Sequence, residues 1–275
     1  MSLPDHYSFD AGNRQDVSRA LQDLGRGVAL WRLWFELAED DLRQRYRRTV
    51  FGALWVGISY LIFSIAIAFI SSEMSGTALT PLMVYVATGF LAWNFMNASV
   101  TDGCSVFINT ENWISGMRLP FSLYVFQSIA REVIIFGYCS LIALGIILLA
   151  GHSLSLAALG ALPALALFLL NAVAVHLLLG VIVTRYRDIS QIVQTAMRVL
   201  FFLTPLLWTP EQATGLRDWL WWNPFTYFID IFRAPILDGA FPVQSWLVCL
   251  AISAGLWVAA LLLFAHFRRR IAFWF

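Results

Sequence analysis

The sequence contains no lysine and little charge of either sign. All 18 basic residues among its 275 are arginine, and charged residues make up 13 % of the chain. Without a lysine there can be no phosphate-binding loop of the Walker type, so we do not expect this chain to hydrolyse ATP. Soluble proteins average about 25 % charged and about 45–50 % apolar residues, whereas this chain is 60 % apolar. The composition predicts a membrane protein.

Cysteine is also scarce and follows no metal or disulfide pattern. Cys104, Cys139 and Cys249 are far apart, and no CxxC or Cys/His cluster occurs. Such cysteines are typical of small apolar residues within hydrophobic segments. We therefore expect no metal and no cofactor in this chain, and we expect no nucleic-acid partner.

The stretch from residue 28 to residue 71 organises the rest of the chain. Residues 28–48 alternate an apolar and a charged face at helical spacing, the apolar face consisting of Trp31, Trp34, Phe35, Ala38 and Leu42. A helix of this kind is predicted to lie in the membrane–water interface. Glu39 precedes Arg43 by four residues, the favourable order for an ion pair. Residues 1–27 are predicted to be a polar, partly disordered cytoplasmic lead-in.

Six apolar stretches, all within residues 49–275, are long enough to cross a bilayer. They are roughly Phe51–Ser71, Thr80–Gly103, Phe121–Ala150, Leu154–Val183, Ile189–Trp208 and Gln244–Phe267. Arginines cluster before the first stretch, in alternate connections and at the C-terminus. By the positive-inside rule, both termini are then cytoplasmic. The predicted fold is an all-α membrane protein with six transmembrane helices.

Two connections are longer than simple links. The cytoplasmic one, Cys104–Pro120, is compatible with a short helix. The outer one, Thr209–Val243, has Asn223 and Pro224 at a helix start and Gly239 beyond its end. These signals predict a helix over Pro224–Leu237, in a re-entrant or interfacial hairpin on the outer face. The headgroup belt would then hold Trp219, Trp221 and Trp222.

Several polar residues fall inside the predicted spans. Arg131 and Glu132 are adjacent, so they point about 100° apart on a helix and need partners on other helices. Asp102 is expected to reach the cytoplasmic interface. His176 has no second ligand nearby in sequence, which favours a hydrogen-bonded interior residue over a metal site.

Two helical faces combine polar and aromatic side chains. The first span presents Phe51, Trp55, Ser59 and Phe63, and the fifth presents Gln191, Gln194, Arg198, Phe201, Pro205 and Trp208. Aromatic rings offer flat apolar surfaces past which a long molecule can slide without fixed hydrogen-bond register. The alternative is ordinary helix packing, in which Arg198 extends to the interface.

Three motifs resemble the ABC-2 family of ATP-binding-cassette transporter permeases. They are LRQRYRRTVFGALW (Leu42–Trp55), RYRDI (Arg185–Ile189) and NPFTYFIDIFR (Asn223–Arg233). The resemblance covers residues 28–270 and is greatest to permeases that export lipid-linked O-antigen, capsular or teichoic acid polysaccharides. The segment ENWISGMRLP is similar to the family's coupling segment at Asn112, Ile114 and Pro120. Ser115 and Gly116 stand where some members have basic residues.

The resemblance implies a homodimer in the bacterial inner membrane, bound to two ATPase subunits that hold ATP and Mg²⁺. It implies ATPase contacts at Asn109, Glu111, Asn112, Trp113, Ile114 and Arg118. The two polar and aromatic faces would line the polymer's path. A diphosphate-linked sugar would be attracted by Arg43, Arg45, Arg47 and Arg48, which could equally be a topology signal alone.

Two other functions stay open at this point. A permease of the same family could export a drug or a lipid, because no motif here specifies the cargo. An integral membrane glycan or lipid transferase would need paired carboxylates or a His/Asp constellation at the interface. The acidic residues of this sequence are scattered, and we assign no catalytic residue to it.

Overall fold

The structure is a computed structural model, and it describes residues 14–47, 49–52, 54–116, 119–208, 222–271 and 273–274. Within these ranges the chain is helical and contains no strand. The helices are α1 (Arg14–Ala29), α2 (Trp31–Arg45), α3 (Leu54–Ser75), α4 (Leu79–Ser105), α5 (Glu111–Gly116), α6 (Phe121–Leu149), α7 (Ala161–Arg185), α8 (Ile189–Leu203), α9 (Pro224–Leu237) and α10 (Val243–Ile271), with a 3₁₀ turn at Leu156–Gly160.

Five helices are long and apolar enough to cross a membrane, which confirms a multi-pass protein. They are α3, α4, α6, α10, and α7 together with the 3₁₀ turn before it. Their contacts define two ends of the bundle. His152, before α7, bonds the carbonyl of Ile236, before α10, and Asn171 bonds Ser253 about ten residues into each helix, so the two helices run the same way. We call the end with Arg45, Arg185 and Arg268 the arginine end.

The predicted fifth span is shorter than expected. Helix α8 has 15 residues, which at about 1.5 Å each is short of the roughly 30 Å hydrocarbon layer. The helix ends because Pro205 follows, and Thr204 before it is extended (φ −90°, ψ 140°). The structure therefore confirms five of the six predicted spans as long helices, and the count of six stays a prediction.

The prediction of a partly disordered lead-in is wrong for residues 14–27. Helix α1 covers them, packs against α6 and α10, and buries Ala20 and Asp23. Its apolar residues Val17, Ala20, Leu21 and Leu24 recur at helical spacing, a pattern that the polar average of the segment hides.

Asp23 explains why α1 is docked. Its Oδ1 accepts a hydrogen bond from the backbone N–H of Ser122 at 3.0 Å, and its Oδ2 lies 2.6 Å from Arg268 Nη2. Helix α6 begins after Pro120, whose side chain cannot cap it, so Asp23 satisfies a free N–H group from another helix. One carboxylate thus joins α1, α6 and α10.

The predicted helix of residues 28–48 is divided. The chain turns at Leu30, and α2 runs from Trp31 to Arg45. Its predicted apolar face packs on α6 through Ala38 and Leu42, which are buried, whereas Trp31 and Phe35 are exposed. The predicted Glu39–Arg43 ion pair is confirmed at 2.6 Å. The position of α2 in the membrane–water interface stays a prediction.

The predicted helix Pro224–Leu237 is confirmed as α9, with the Asn223 side chain accepting from the Phe225 N–H at 3.0 Å. It packs among α4, α7 and α10. Its Phe232 ring lies 6.3 Å from that of Phe136, which is in the middle of α6. Helix α9 is therefore surrounded by the spans. Trp222 is 85 % exposed, and Trp219 and Trp221 lie outside the described residues.

Candidate functional site

A groove of about 670 Å³ opens between α3, α4 and α6. Aromatic and polar side chains share its walls, among them Trp55, Ser59, Phe63, Phe90, Asn94 and Asn97. At the arginine end it is bordered by Arg45 and Asp102. Three of the residues predicted on the first span, Trp55, Ser59 and Phe63, thus line one groove. Phe51 precedes α3, is half exposed, and its ring centroid lies 5.3 Å from that of Trp55.

The structure brings the first and fifth predicted faces together at Phe63 and Phe201. Their ring centroids are 6.1 Å apart, and Phe90 lies 4.5 Å from Phe63 and 6.3 Å from Phe201. Trp93 extends the cluster, 5.7 Å from Phe201. Such distances suit edge-to-face and stacked pairs. We call Phe63, Phe90, Trp93 and Phe201 the aromatic cluster.

The other residues of the predicted face of the fifth span fall into two groups. Gln191, Gln194 and Arg198 are exposed. In contrast, Pro205 is buried, and its carbonyl accepts a hydrogen bond from Arg233 Nη1 at 3.0 Å. Trp208 is half-buried and donates from Nε1 to the Phe202 carbonyl at 3.2 Å. The predicted face of α8 therefore combines an exposed polar part with Phe201 and Trp208, which are half-buried.

Among the three predicted arginines that the structure describes, only Arg45 borders the groove. Arg43 is exposed and paired with Glu39, and Arg47 is exposed on the turn that follows α2. Arg48 lies outside the described residues.

A second cavity, of about 240 Å³, separates the predicted coupling segment from the groove. It is polar and lies between α2, the C-terminal end of α4, α5 and α6. Asn109 and Trp113 line it, together with Arg45 and Asp102, which also line the groove. Trp113 is nevertheless 50 % exposed. The two cavities therefore share a wall at the arginine end.

The remaining coupling residues lie around this cavity. Glu111 begins α5, and Ile114 packs against the core. Asn109 donates to the Ser105 hydroxyl at 3.1 Å. Asn112 lies within α5, and Arg118 is outside the described residues.

Arg131 and Glu132 have partners on other helices, as predicted. Arg131 lies 2.8 Å from Asp102 of α4 and 3.3 Å from Asp41 of α2. Asp102 thus pairs with an arginine, and its position at the cytoplasmic interface stays a prediction. The Glu132 carboxylate accepts a hydrogen bond from Ser99 at 2.6 Å and lies 3.1 Å from Nε2 of His176.

His176 is fully buried, and both of its ring nitrogens lie within hydrogen-bonding distance of protein groups. Nδ1 lies 2.8 Å from the Ala172 carbonyl, which makes it a donor, and Nε2 faces Glu132 and Ser128. This confirms the predicted interior role. In the part of the chain that the structure describes, no group of three or more His, Cys, Asp or Glu residues could hold a metal ion.

Sequence reasoning missed the polar row on α4. Phe90, Asn94, Asn97 and Thr101 recur at steps of four, three and four residues and so share one helical face, the face that lines the groove. The sequence does contain a signal for this row. Two asparagines within an apolar span are costly in lipid, so their shared face should turn away from the acyl chains.

Comparison with known proteins agrees with this architecture. The sequence model of the family described as "ABC-2 type transporter" matches residues 32–237, about three quarters of the chain. The chain belongs to the ABC-2 type transporter family. It is therefore a transport subunit of the permease type, as predicted.

Curated relatives are similar over nearly their whole length. The chain is 21 % identical over 245 residues to an O-antigen export system permease protein RfbA of Klebsiella pneumoniae, covering 88 % of this chain and 95 % of the relative. It is 22 % identical over 254 residues to the RfbA permease of Myxococcus xanthus, covering 87 % of this chain and 94 % of the relative. The predicted resemblance to polysaccharide export permeases is confirmed.

Proposed function

We propose that this chain is the membrane subunit of an ABC exporter that moves a lipid-linked polysaccharide out across the bacterial inner membrane. The observation that supports this most is the groove, which is lined by aromatic rings and polar side chains together. The names of the curated relatives support the same cargo class.

The groove suits a chain that must slide. Rings such as Phe63 and Phe90 offer faces to sugar C–H groups, and each contact is worth about 1 kcal/mol or less. Many weak and similar contacts allow a polymer to advance without a deep free-energy minimum. Arg45 at the arginine end supplies a guanidinium that can pair with a lipid-linked diphosphate.

We propose the arginine end as the cytoplasmic end. Arg185 and Arg268–Arg270 would then obey the positive-inside rule together with the arginines around Arg45. Helix α8, continued by the residues after it, would complete the sixth span, and both termini would be cytoplasmic. Helix α9, enclosed by the spans, would be the re-entrant part of a hairpin entered from the opposite side.

We further propose a homodimer with two ATPase subunits, which hold ATP and Mg²⁺. The exposed Trp113 and the neighbouring Glu111 would contact the ATPase, and α5 rests on the polar cavity next to α2. A movement of α5 would therefore reach Arg45 at the end of the groove.

The exposed apolar side chains of α3 and α8, such as Ile62 and Phe202, offer surface for the second copy.

The other cargo and the enzyme hypothesis have less support. The asparagine, serine and threonine beside the rings in the wall of this groove suit a hydroxylated cargo better than an apolar drug. A transferase needs free carboxylates, but Asp41 and Asp102 are paired with Arg131, and Glu132 contacts His176.

Reconstitution tests the proposed function. The purified chain in proteoliposomes should hydrolyse no ATP, and addition of the cognate ATPase should give ATP-dependent movement of lipid-linked polysaccharide. In the host strain, deletion of the gene should abolish the surface polysaccharide. ATPase activity of this chain alone, or normal surface polysaccharide after deletion, would contradict the proposal.

A further inference from the structure

Asn94 and Asn97 place two carboxamides on one face of the membrane-spanning helix α4. They are the 16th and 19th residues of the 27-residue helix α4, and both line the groove. Within the described part of the chain, neither side chain makes a hydrogen bond, and neither does the hydroxyl of Ser59 across the groove.

The other asparagines differ from this pair. Asn171 donates to the Ser253 hydroxyl at 2.8 Å, Asn223 donates to the Thr204 hydroxyl at 2.8 Å, and Asn109 donates to Ser105 at 3.1 Å. These are all the other asparagines whose side chains the structure describes. Among the described residues, the other asparagine side chains therefore form hydrogen bonds, whereas Asn94 and Asn97 in the groove do not.

Such an arrangement needs an occupant that forms hydrogen bonds. In a hydrocarbon environment an unbonded amide is costly, and only water, a ligand or another polar chain can satisfy it. A carboxamide offers two donors and one acceptor, which match the hydroxyl groups of a sugar. The rings of Phe63 and Phe90 beside the amides supply the apolar surface that a sugar ring also needs.

We propose that Asn94 and Asn97, with Ser59 opposite, form a recognition site for the hydroxyl groups of the sugar cargo. This inference rests on the proposed export function and assigns part of its selectivity to α4. The aromatic rings accept any sugar, whereas the amides distinguish a hydroxylated chain from an apolar molecule of similar width. A polymer bound here would replace the hydration of both amides at each step.

Stability measurements separate recognition from packing. Leucine is similar in size to asparagine, and the double variant Asn94→Leu/Asn97→Leu removes no bond within the described protein. We expect its thermal unfolding temperature in detergent to equal or exceed that of the wild type. The matched control, Asn171→Leu, breaks the bond between α7 and α10 and should lower that temperature. A double variant that unfolds like the control would overturn the inference.

Export measurements in the host strain test recognition directly. The gene is replaced by each variant, and the rate at which newly made polysaccharide reaches the cell surface is followed by pulse labelling. We expect at least about a fivefold loss for the double variant, the worth of one net hydrogen bond. The variant Asn97→Gln, which keeps the amide, should retain most of the rate.

The outcomes distinguish the two proposals. If deletion of the gene leaves the surface polysaccharide unchanged, the proposed function fails. If deletion abolishes the polysaccharide but the leucine variant exports at the wild-type rate, only the recognition site fails.

A third outcome concerns the second copy of the chain. With Cys104, Cys139 and Cys249 replaced by alanine, Asn97→Cys should not form a disulfide between two copies. Efficient cross-linking together with loss of the dimer in Asn97→Leu would assign the row to an interface and overturn the inference.

Discussion

Nη2 of Arg131 lies 2.8 Å from Oδ2 of Asp102, and this pair belongs to the wall between the groove and the polar cavity. Nη1 of the same guanidinium lies 3.3 Å from Asp41. One arginine therefore binds α2 and α4 to α6 at the level where α5 rests on the bundle. Because charges at such depth must be paired, this contact determines how α2 sits against the spans.

Loss of Arg131 should destabilise the protein more than loss of a surface arginine. Arg131→Leu leaves two carboxylates without their cation, and we expect a loss of about 2–4 kcal/mol, somewhat below the range for fully buried pairs because Asp41 and Asp102 are partly exposed. Thermal unfolding monitored by tryptophan fluorescence measures the change. Arg43→Leu, which breaks an exposed pair, is the control and should cost at most about 1 kcal/mol.

A double variant checks that the charge is responsible. Arg131→Leu combined with Asp102→Leu should be less destabilised than the sum of the two single variants, because neither charge is then left alone. Strict additivity would contradict a direct interaction.

Replacement of Asp23 should release α1 from the bundle. Asp23→Ala removes the cap of α6 and the partner of Arg268, with an expected loss of about 2–3 kcal/mol. Trypsin should then cleave faster after Arg19 and Arg26, which α1 carries. Asp16→Ala is the matched control, because Asp16 is more exposed and its arginine contacts are longer, at 3.7 and 3.8 Å. Equal cleavage rates in both variants would refute the anchoring role.

Truncation of the aromatic cluster should slow export without preventing assembly. Phe63→Ala removes a ring next to two others of the cluster, and Phe201→Ala removes one next to three. Each change should cost on the order of 1 kcal/mol of stacking with the cargo. Export rate and dimer yield are measured side by side. Phe69→Ala, also on α3 and exposed, is the control. Loss of the dimer with an unaltered rate per dimer would assign the rings to packing.

Contact with the ATPase should be found at α5. A cysteine at Glu111 or Trp113 should cross-link to a cysteine on the ATPase in native membranes, and Trp113→Ala should reduce the ATPase stimulation caused by the permease. A cysteine at Leu156, in the turn at the opposite end of the bundle, provides the negative control. Cross-links formed only from α1 would move the contact site to the N-terminal helix.

The sequence predicts some features of this fold well because their causes are local. Long uncharged runs predict the five crossing helices, and Asn223 with Pro224 predicts the start of α9 because capping involves neighbouring residues. The length of the apolar stretch predicts a span over Ile189–Trp208. Helix α8 ends earlier, at Leu203, because Pro205 follows it.

Other features depend on residues far apart in the chain. Asp23 caps a helix that begins 98 residues later, and no local pattern indicates that a charge in a polar segment will be buried. The sequence predicts that Arg131 has partners on other helices. It does not predict that these are Asp41 and Asp102, because their positions depend on how α2 and α4 pack against α6. The spacing of Asn94 and Asn97 predicts that they share one face of α4. Their proposed role depends on the lack of hydrogen-bonding partners among the described residues, which only the packed structure shows.

Helix α8 is anchored in different ways at its two ends. At its N-terminal end, a hydrogen-bonded turn of three residues, 186–188, connects it to the last residue of α7. Beyond its C-terminal end, the Pro205 carbonyl is bonded to Arg233 of α9, and the Leu207 carbonyl accepts from Ser71 of α3 at 2.5 Å. Between these anchors, Met197 is the one buried residue of the helix. A movement of α7 relative to α3 and α9 would therefore carry the first turn of α8 with it, whereas Phe201, in the last turn, would stay near the anchor at Pro205.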